Sequence, residues 1–245
     1  MTFRRRSRLL LSMLKKRSLK LERIDTGDYT PEEYDCFLRE IGFINRVLGD
    51  NRALKKTLLR EIERENLLAF SVLDVGAGSG ELLRAIAGFA RKQQRKARLC
   101  GLELNARSAE AMAEESKKFP EIKVIRADAF RLPFADNTFD YAICSLFTHH
   151  FTDANVAAIL REMNRVSRRK IFVIDLHRHR AAYFSYKIFC RAFGISRLVR
   201  EDGSLSVLRS FTPSELKTIG DNVGLDEVSI KRIAPFRLVL EGKKV

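Results

Sequence analysis

Two stretches of this chain combine residue types and spacings that can do chemistry. The first is Asp74-Val75-Gly76-Ala77-Gly78-Ser79-Gly80, an acid followed by glycines on alternate positions. An apolar run, Phe70 to Val75, precedes the glycines, and a helix-like segment, Glu81 to Ala90, follows them. A buried strand that hands over to such a loop and then to a helix start makes a nucleotide cradle. Glycine lets a ligand approach the backbone and supplies the dihedrals of the turn. The helix start adds free N–H donors and the positive end of the helix dipole. The spacing is GxGxG, not the GxGxxG of dinucleotide enzymes, so a dehydrogenase is the most distant reading. The second stretch is His149-His150, just past another strand-like segment. Histidine titrates near neutrality and can take a proton from a reacting group. The bland alternative is that the pair packs, or caps a helix beginning around Thr152-Asp153. Asp175, closing a later strand, is a candidate for orienting a histidine or a substrate.

These residues need a scaffold, and the chain repeats the same punctuation along its length. Arg98 to Glu103 reads as a strand ending in an acid, placed where a ribose carboxylate belongs, because a carboxylate can accept two bonds from a vicinal diol. Ile122 to Ala127 reads as a third strand, closed by Asp128-Ala129, and Tyr141 to Ser145 as a fourth. Strands near 70–75, 98–103, 122–127, 139–145 and 170–175 alternate with helices near 80–92, 107–118 and 153–167. That alternation predicts a parallel sheet with helices on both faces. In such a sheet ligands bind beyond the strand carboxyl ends, where Asp74, the glycines, Glu103, Asp128 and Ser145 through His150 all fall.

Before the sheet, Thr30-Pro31-Glu32-Glu33 starts a helix that runs to about Leu48 and stops at Gly49, and a second helix covers 52–65. These would cap the substrate side. After it, residues 177–210 are longer than a connection requires and carry Tyr183, Phe184, Tyr186, Phe189 and Phe193, either core packing or the lining of an apolar pocket. Asp202-Gly203 reads as a turn. A helix starts at Thr212 and ends at Gly224, and strands near 226–233 and 236–241 form a hairpin.

The ordered phrases carry a family resemblance. Asp74 with its glycines resembles motif I of the class I S-adenosylmethionine (SAM)-dependent methyltransferases. Leu132-Pro133-Phe134-Ala135-Asp136-Asn137-Thr138-Phe139-Asp140 resembles the ubiquinone/menaquinone-biosynthesis type, and the likeness covers about residues 70 to 175. More loosely, "LERID", "INRVLG", "SLFTHHF", "DLHRHR" and "SVLRSFTPSEL" look like bacterial methyltransferases associated with type III polyketide synthases. The resemblance implies a Rossmann-like, seven-stranded, mostly parallel sheet with an antiparallel last strand. It implies SAM as cofactor, held by Asp74, Gly76, Gly78, Gly80, Glu103, Leu104, Asp128, Ala129 and Ser145, with the Asp128 acid meeting the adenine amine and Phe130 an apolar flank. His149 and His150 fall where the family places substrate-side residues.

Composition bounds the remainder. A chain of 245 residues buries one substantial core, and no apolar run reaches the eighteen or so residues of a membrane span. Cys36, Cys100, Cys144 and Cys190 show no metal spacing, and no HExxH motif accompanies the histidines, so no metal is expected. Net charge is +15, and residues 1–20 hold eight basic residues and no acid. Leu10, Met13, Leu14 and Leu21 fall near one helical face, so 1–20 reads as a basic amphipathic arm, separable from catalysis, for an anionic membrane surface. A transit peptide, a nucleic-acid contact or a solvated tail are the alternatives for this segment.

The domain expectation is therefore arm 1–20, helical cap 21–69, and a SAM-binding domain 70–245 with a lid-like insert about 177–210. The expected function is methyl transfer to a small, apolar phenolic, quinone-like or polyketide acceptor, by a cytoplasmic protein that the arm places at the inner face of the membrane. The alternatives are an RNA-directed methyltransferase, prompted by the charge, and a non-catalytic SAM-fold assembly partner. Base-amine enzymes carry a D/N-P-P-aromatic motif after the fourth strand. Cytosine-C5 enzymes carry a Pro-Cys or Thr-Cys nucleophile. Cys144-Ser145-Leu146-Phe147 supplies neither. The oligomeric state is not written in the sequence.

Overall fold

The computed structural model describes residues 14–244. A single helical turn, α1 (Arg23–Thr26), leads to α2 (Pro31–Val47), which starts on a capping box between Thr30 and Glu33. The helix expected at 52–65 begins two residues earlier. Asp50–Leu54, a π-turn Lys55–Leu59 and Arg60–Arg64 run on as one rod, α3. Then β1 (Ala69–Val75), α4 (Glu81–Lys92), β2 (Lys96–Glu103), α5 (Ala106–Glu115), β3 (Ile122–Arg126), β4 (Phe139–Ser145), α6 (Asp153–Val166) and β5 (Ser167–Leu176) alternate as expected. Two helices, α7 (Arg180–Ala192) and α8 (Arg197–Arg209), fill the insert before α9 (Pro213–Asp221), β6 (Glu227–Ile233) and β7 (Arg237–Lys243).

The strands form one seven-stranded sheet in the order β3-β2-β1-β4-β5-β7-β6. All neighbours are parallel except β7, which runs antiparallel to β5 and β6. The order reverses between β1 and β4, so a crevice opens beyond their carboxyl ends. Both faces of β1 are covered, which is why it reads as a continuous apolar run. Leu73 and Val75 pack with α6 and α9 on one side, and Phe70 and Val72 with α3 and α4 on the other. Each such fully buried side chain contributes about 1.5–3 kcal/mol. Cys100 and Cys144 lie in the core as free thiols.

Two expectations need correction. Asp202-Gly203 is not a turn; both residues sit inside α8. Gly203 lacks a side chain because Tyr186 of α7 packs there: a Cβ would stand 2.0 Å from the Tyr186 hydroxyl oxygen. Tyr186 donates that hydroxyl to the Val199 carbonyl at 2.7 Å and clamps α7 to α8. With Cys190, Ile195 and Val199, it forms a small core against Ile44 of α2. The second correction concerns the arm. Leu10 and Met13 lie outside the described residues, and Leu14 and Leu21 share no helical face, because residues 17–22 run without regular structure over the domain. The Ser18 N–H donates to the Leu208 carbonyl at 2.9 Å. Among the described residues no helix is long and apolar enough to cross a membrane.

Candidate active site at the sheet switch point

The loop after β1 splits its glycines into two kinds. Gly76 (φ +69°) is held by a neighbour, since a Cβ would meet the Phe147 ring at 2.4 Å. Gly78 (φ +55°) has nothing within 4 Å of that position, so its missing side chain leaves space open toward the crevice. Gly80, packed against Met112, caps α4. The Gly78 N–H donates to Glu103 Oε2 at 2.9 Å, and those of Gly76 and Ala77 to the Leu102 carbonyl. Glu103 Oε1 accepts from the Asn105 N–H, also at 2.9 Å. Both oxygens keep a second lone pair, so the carboxylate can still receive a diol.

Asp74 is 2% exposed and lines the same cavity. Its Oδ1 has no hydrogen-bond partner among the described residues. Burial, and then the Glu103 charge, push its carboxyl up to about 8. A buried carboxylate without a partner is costly, and a cation arriving from the cavity would relieve it.

Beside this lies a smaller pocket whose walls include Leu104, Asp128, Ala129, Phe130, Phe147 and Phe151. Asp128 is exposed and accepts the Phe130 N–H at 2.9 Å with one oxygen. Phe151 meets the rings of Phe130 and Phe147 edge-on. Phe147 is aimed onto Gly76 by Leu146, whose φ of +50° is unusual for a branched residue. Ser145 lines the main cavity, of about 390 Å³, together with Gly76, Gly78, Glu103, His149 and His150. The structure thus brings Asp74, Gly76, Gly78, Glu103, Ser145, His149 and His150 to one pocket and Leu104, Asp128 and Ala129 to the adjoining one, while Gly80 lines neither and serves as the helix cap.

The histidines sit on a short 3₁₀ turn, Thr148–His150. His149 is 3% exposed, and its Nδ1 lies 2.7 Å from Asp175 Oδ1. Asp175 also accepts the Thr148 hydroxyl (2.5 Å), the His149 N–H (3.1 Å) and its neighbour Leu176's N–H (2.7 Å). Burial alone would raise this carboxyl. The charge and hydrogen bond of His149, with the Thr148 and Leu176 bonds, outweigh it and hold Asp175 at about 2. In the neutral His149 ring, an ionised Asp175 holds the proton on Nδ1 and leaves Nε2 as an acceptor. His150 Nδ1 lies 2.7 Å from Asp25 Oδ1. The capping role foreseen as the alternative falls to Thr152, which caps α6.

Sequence reasoning missed what the chain before α2 adds. Arg17 donates to the carbonyls of Phe151 (2.9 Å), His149 (3.3 Å) and Arg209 (2.7 Å), and its guanidinium stacks 4.0 Å over the Phe211 ring. Arg209 donates to the carbonyls of His149 (3.1 Å), Lys20 (2.7 Å) and His150, and pairs with Asp25 at 3.0 Å. Glu22, 3% exposed, lines the cavity, and its donor atom and those of His149 and His150 all lie within 4.8 Å of one another. The only sequence signal was the acid pair in Leu21-Glu22-Arg23-Ile24-Asp25, directly after the acid-free arm.

Comparisons with known proteins bear on the domain and the fold. The family described as "Methyltransferase domain" matches residues 72–170, which contain the glycine loop, Glu103, Asp128 and the histidine turn. A demethylmenaquinone methyltransferase of Staphylococcus aureus is 24% identical over 212 residues, covering 82% of this chain and 83% of that protein. A SAM-dependent methyltransferase from Aquifex aeolicus superposes with a TM-score of 0.62 at 16% identity, covering 89% of this chain and all of the other. The SAH-bound magnesium protoporphyrin IX methyltransferase of Synechocystis superposes with a TM-score of 0.60 at 12% identity, covering 88% and 95%.

Proposed function

We propose that this chain, with its methyltransferase-domain match over residues 72–170 and its SAM-methyltransferase fold, methylates a small, apolar acceptor of phenolic, quinone-like or polyketide type. The observation that carries the reading is the cavity. It opens on the glycine loop at one end and is roofed at the other by Phe37, Leu38, Ile41 and Ile44 of α2 and by Val199 and Val207 of α8. That roof suits a compact apolar molecule. Polar side chains line the cavity as well, Glu22, Asn45, His149, His150 and Asp202 among them.

The cofactor side fits SAM. The unpartnered Asp74 oxygen suits the ammonium of its aminocarboxylate, and the open space at Gly78 admits the chain close to the backbone. Glu103 is placed for the ribose diol, and Asp128 with Leu104, Ala129 and Phe130 for the adenine. When bound, SAM supplies a methyl carbon on a sulfonium, an electrophile that leaves behind a neutral thioether. On the acceptor side, His149 takes the hydroxyl proton at Nε2, with Asp175 stabilising the imidazolium that results. His150, held by Asp25, flanks the same oxygen. The apolar roof keeps water out, and orientation supplies much of the remaining rate.

The test is transfer of tritiated methyl from SAM across a panel of phenols, quinols and RNA. Label in an organic-extractable phenol or quinol supports the proposal. Label confined to RNA moves the reading to an RNA-directed enzyme, and SAM binding without any transfer moves it to an assembly partner. The basic residues before Arg17 remain, on this reading, a contact for an anionic membrane surface.

A further inference from the structure

Glu22 is an acid buried beside the Arg209 guanidinium. Its Oε1 is unpartnered among the described residues and lies within the cavity, with the Arg209 Nε 3.6 Å away, beyond hydrogen-bond reach. The groups that face it come from several elements: Asp25 of α1, His149 and His150 of the turn after β4, Tyr186 of α7, and Asp202, Ser206 and Arg209 of α8. Burial, foremost, pushes its carboxyl up to about 7; His150 and Arg209 pull it back and Asp25 adds to the rise. A carboxyl that keeps its proton can donate a hydrogen bond, while the neutral His149 ring next to it accepts one at Nε2.

We propose that Glu22 and His149 read the acceptor as a pair, the Glu22 acid donating to a carbonyl oxygen while His149 accepts the proton of the hydroxyl beside it. The acceptor class this selects is a hydroxyl with a carbonyl on the adjacent carbon or one carbon further, as in acylphenols, hydroxyquinones and enolised polyketides. The donor atoms within 4.8 Å of each other span such a pair of oxygens, each about 2.7–3 Å from its partner. The same three donor atoms could face a divalent cation, but the Arg209 guanidinium places a full positive charge beside Glu22, which opposes one. The inference rests on the methyltransferase reading for the identity of the site, and the test separates the two.

The test is calorimetry on the full chain with S-adenosylhomocysteine present, using the near-isosteric probes 2-acetyl-1-naphthol and 2-ethyl-1-naphthol. At pH 6 the wild type should bind the acetyl compound about tenfold more tightly. Glu22→Ala should erase that preference. Glu22→Gln, which keeps a donor, should retain it, and should keep it at pH 8.5, where the wild type's acid has ionised and loses it. Because both probes carry the hydroxyl, its contact with His149 is common to the two. Equal binding of the two probes by the wild type, or a preference that survives Glu22→Ala, would overturn the proposal. So would a preference that requires added Mn²⁺ or Zn²⁺ and vanishes with a chelator, which reassigns the trio to a metal. If S-adenosylhomocysteine itself does not bind, the methyltransferase reading fails first.

Discussion

His149 carries the clearest chemical assignment of any single residue here. Its Nδ1 is committed to a buried, ionised Asp175, so its other nitrogen is the one free for an acceptor proton. Replacing His149 by Ala should lower turnover by a factor on the order of 10² to 10⁴. S-adenosylhomocysteine affinity should hardly change, since the ring faces the acceptor side. Single-turnover methyl transfer against pH checks this, and a rate and pH profile equal to the wild type's would leave His149 a packing residue. Asp74 gives a second prediction, read in stability. An unfolded Asp carboxyl titrates near 3.9, while in the fold Asp74 holds its proton to about 8. Between those values the folded form binds more protons, so this residue costs stability as pH rises, at up to about 1.4 kcal/mol per unit. Asn does not titrate. Asp74→Asn should therefore gain on the wild type in denaturant melts between pH 5 and pH 8, and should bind SAM more weakly. A difference that stays flat with pH would mean the site is wetter than its burial indicates. At this scale the sequence was informative wherever a role had a local spelling, as with Asp74, the glycines, Glu103 and Asp128. It was silent on Glu22 and Asp25, more than a hundred positions from the histidines they face, because no spacing rule joins residues that meet only through the fold.

The elements show the same division. Strands and helices of the central sheet follow from apolar runs and caps that need no outside partner. The extended segment from Arg17 to Glu22 has no such signal, since it is shaped by docking onto α8 and the histidine turn. Likewise Gly203 reads as a turn residue in isolation, and sits in a helix only because Tyr186 needs the room. The docked segment is not separable from the site. Arg17→Ala removes three carbonyl bonds and a cation–π contact. It should cost about 2–3 kcal/mol in a denaturant melt and slow methyl transfer by loosening the Thr148–His150 turn. Lys15→Ala, on an exposed side chain two residues earlier, should do neither. Equal, small effects from both would return residues 14–20 to the solvated tail the sequence allowed.

For the molecule as a whole, the sheet order explains why residues from four strand ends and the N-terminal segment meet in one place. The reversal between β1 and β4 leaves a crevice, α4 and the glycine loop floor one half of it, and α2, α7 and α8 roof the other. The seven-stranded, mostly parallel sheet with its antiparallel last strand was accessible from the sequence through its resemblance. The roof was foreseen as a capping pair and an insert, but not its contacts, because packing between non-adjacent helices has no sequence pattern of its own. The central claim is that this crevice binds SAM along the glycine loop, and it can be tested without knowing the acceptor. Gly78 is the place to do so, because a side chain there enters open space and not the core. Arg is disfavoured at φ +55° by roughly 1–2 kcal/mol, too little to unfold a domain of this size. Calorimetric titration with S-adenosylhomocysteine should give saturable one-to-one binding to the wild type and none, or a strongly weakened signal, for a folded Gly78→Arg. Undiminished binding by that variant would contradict the account.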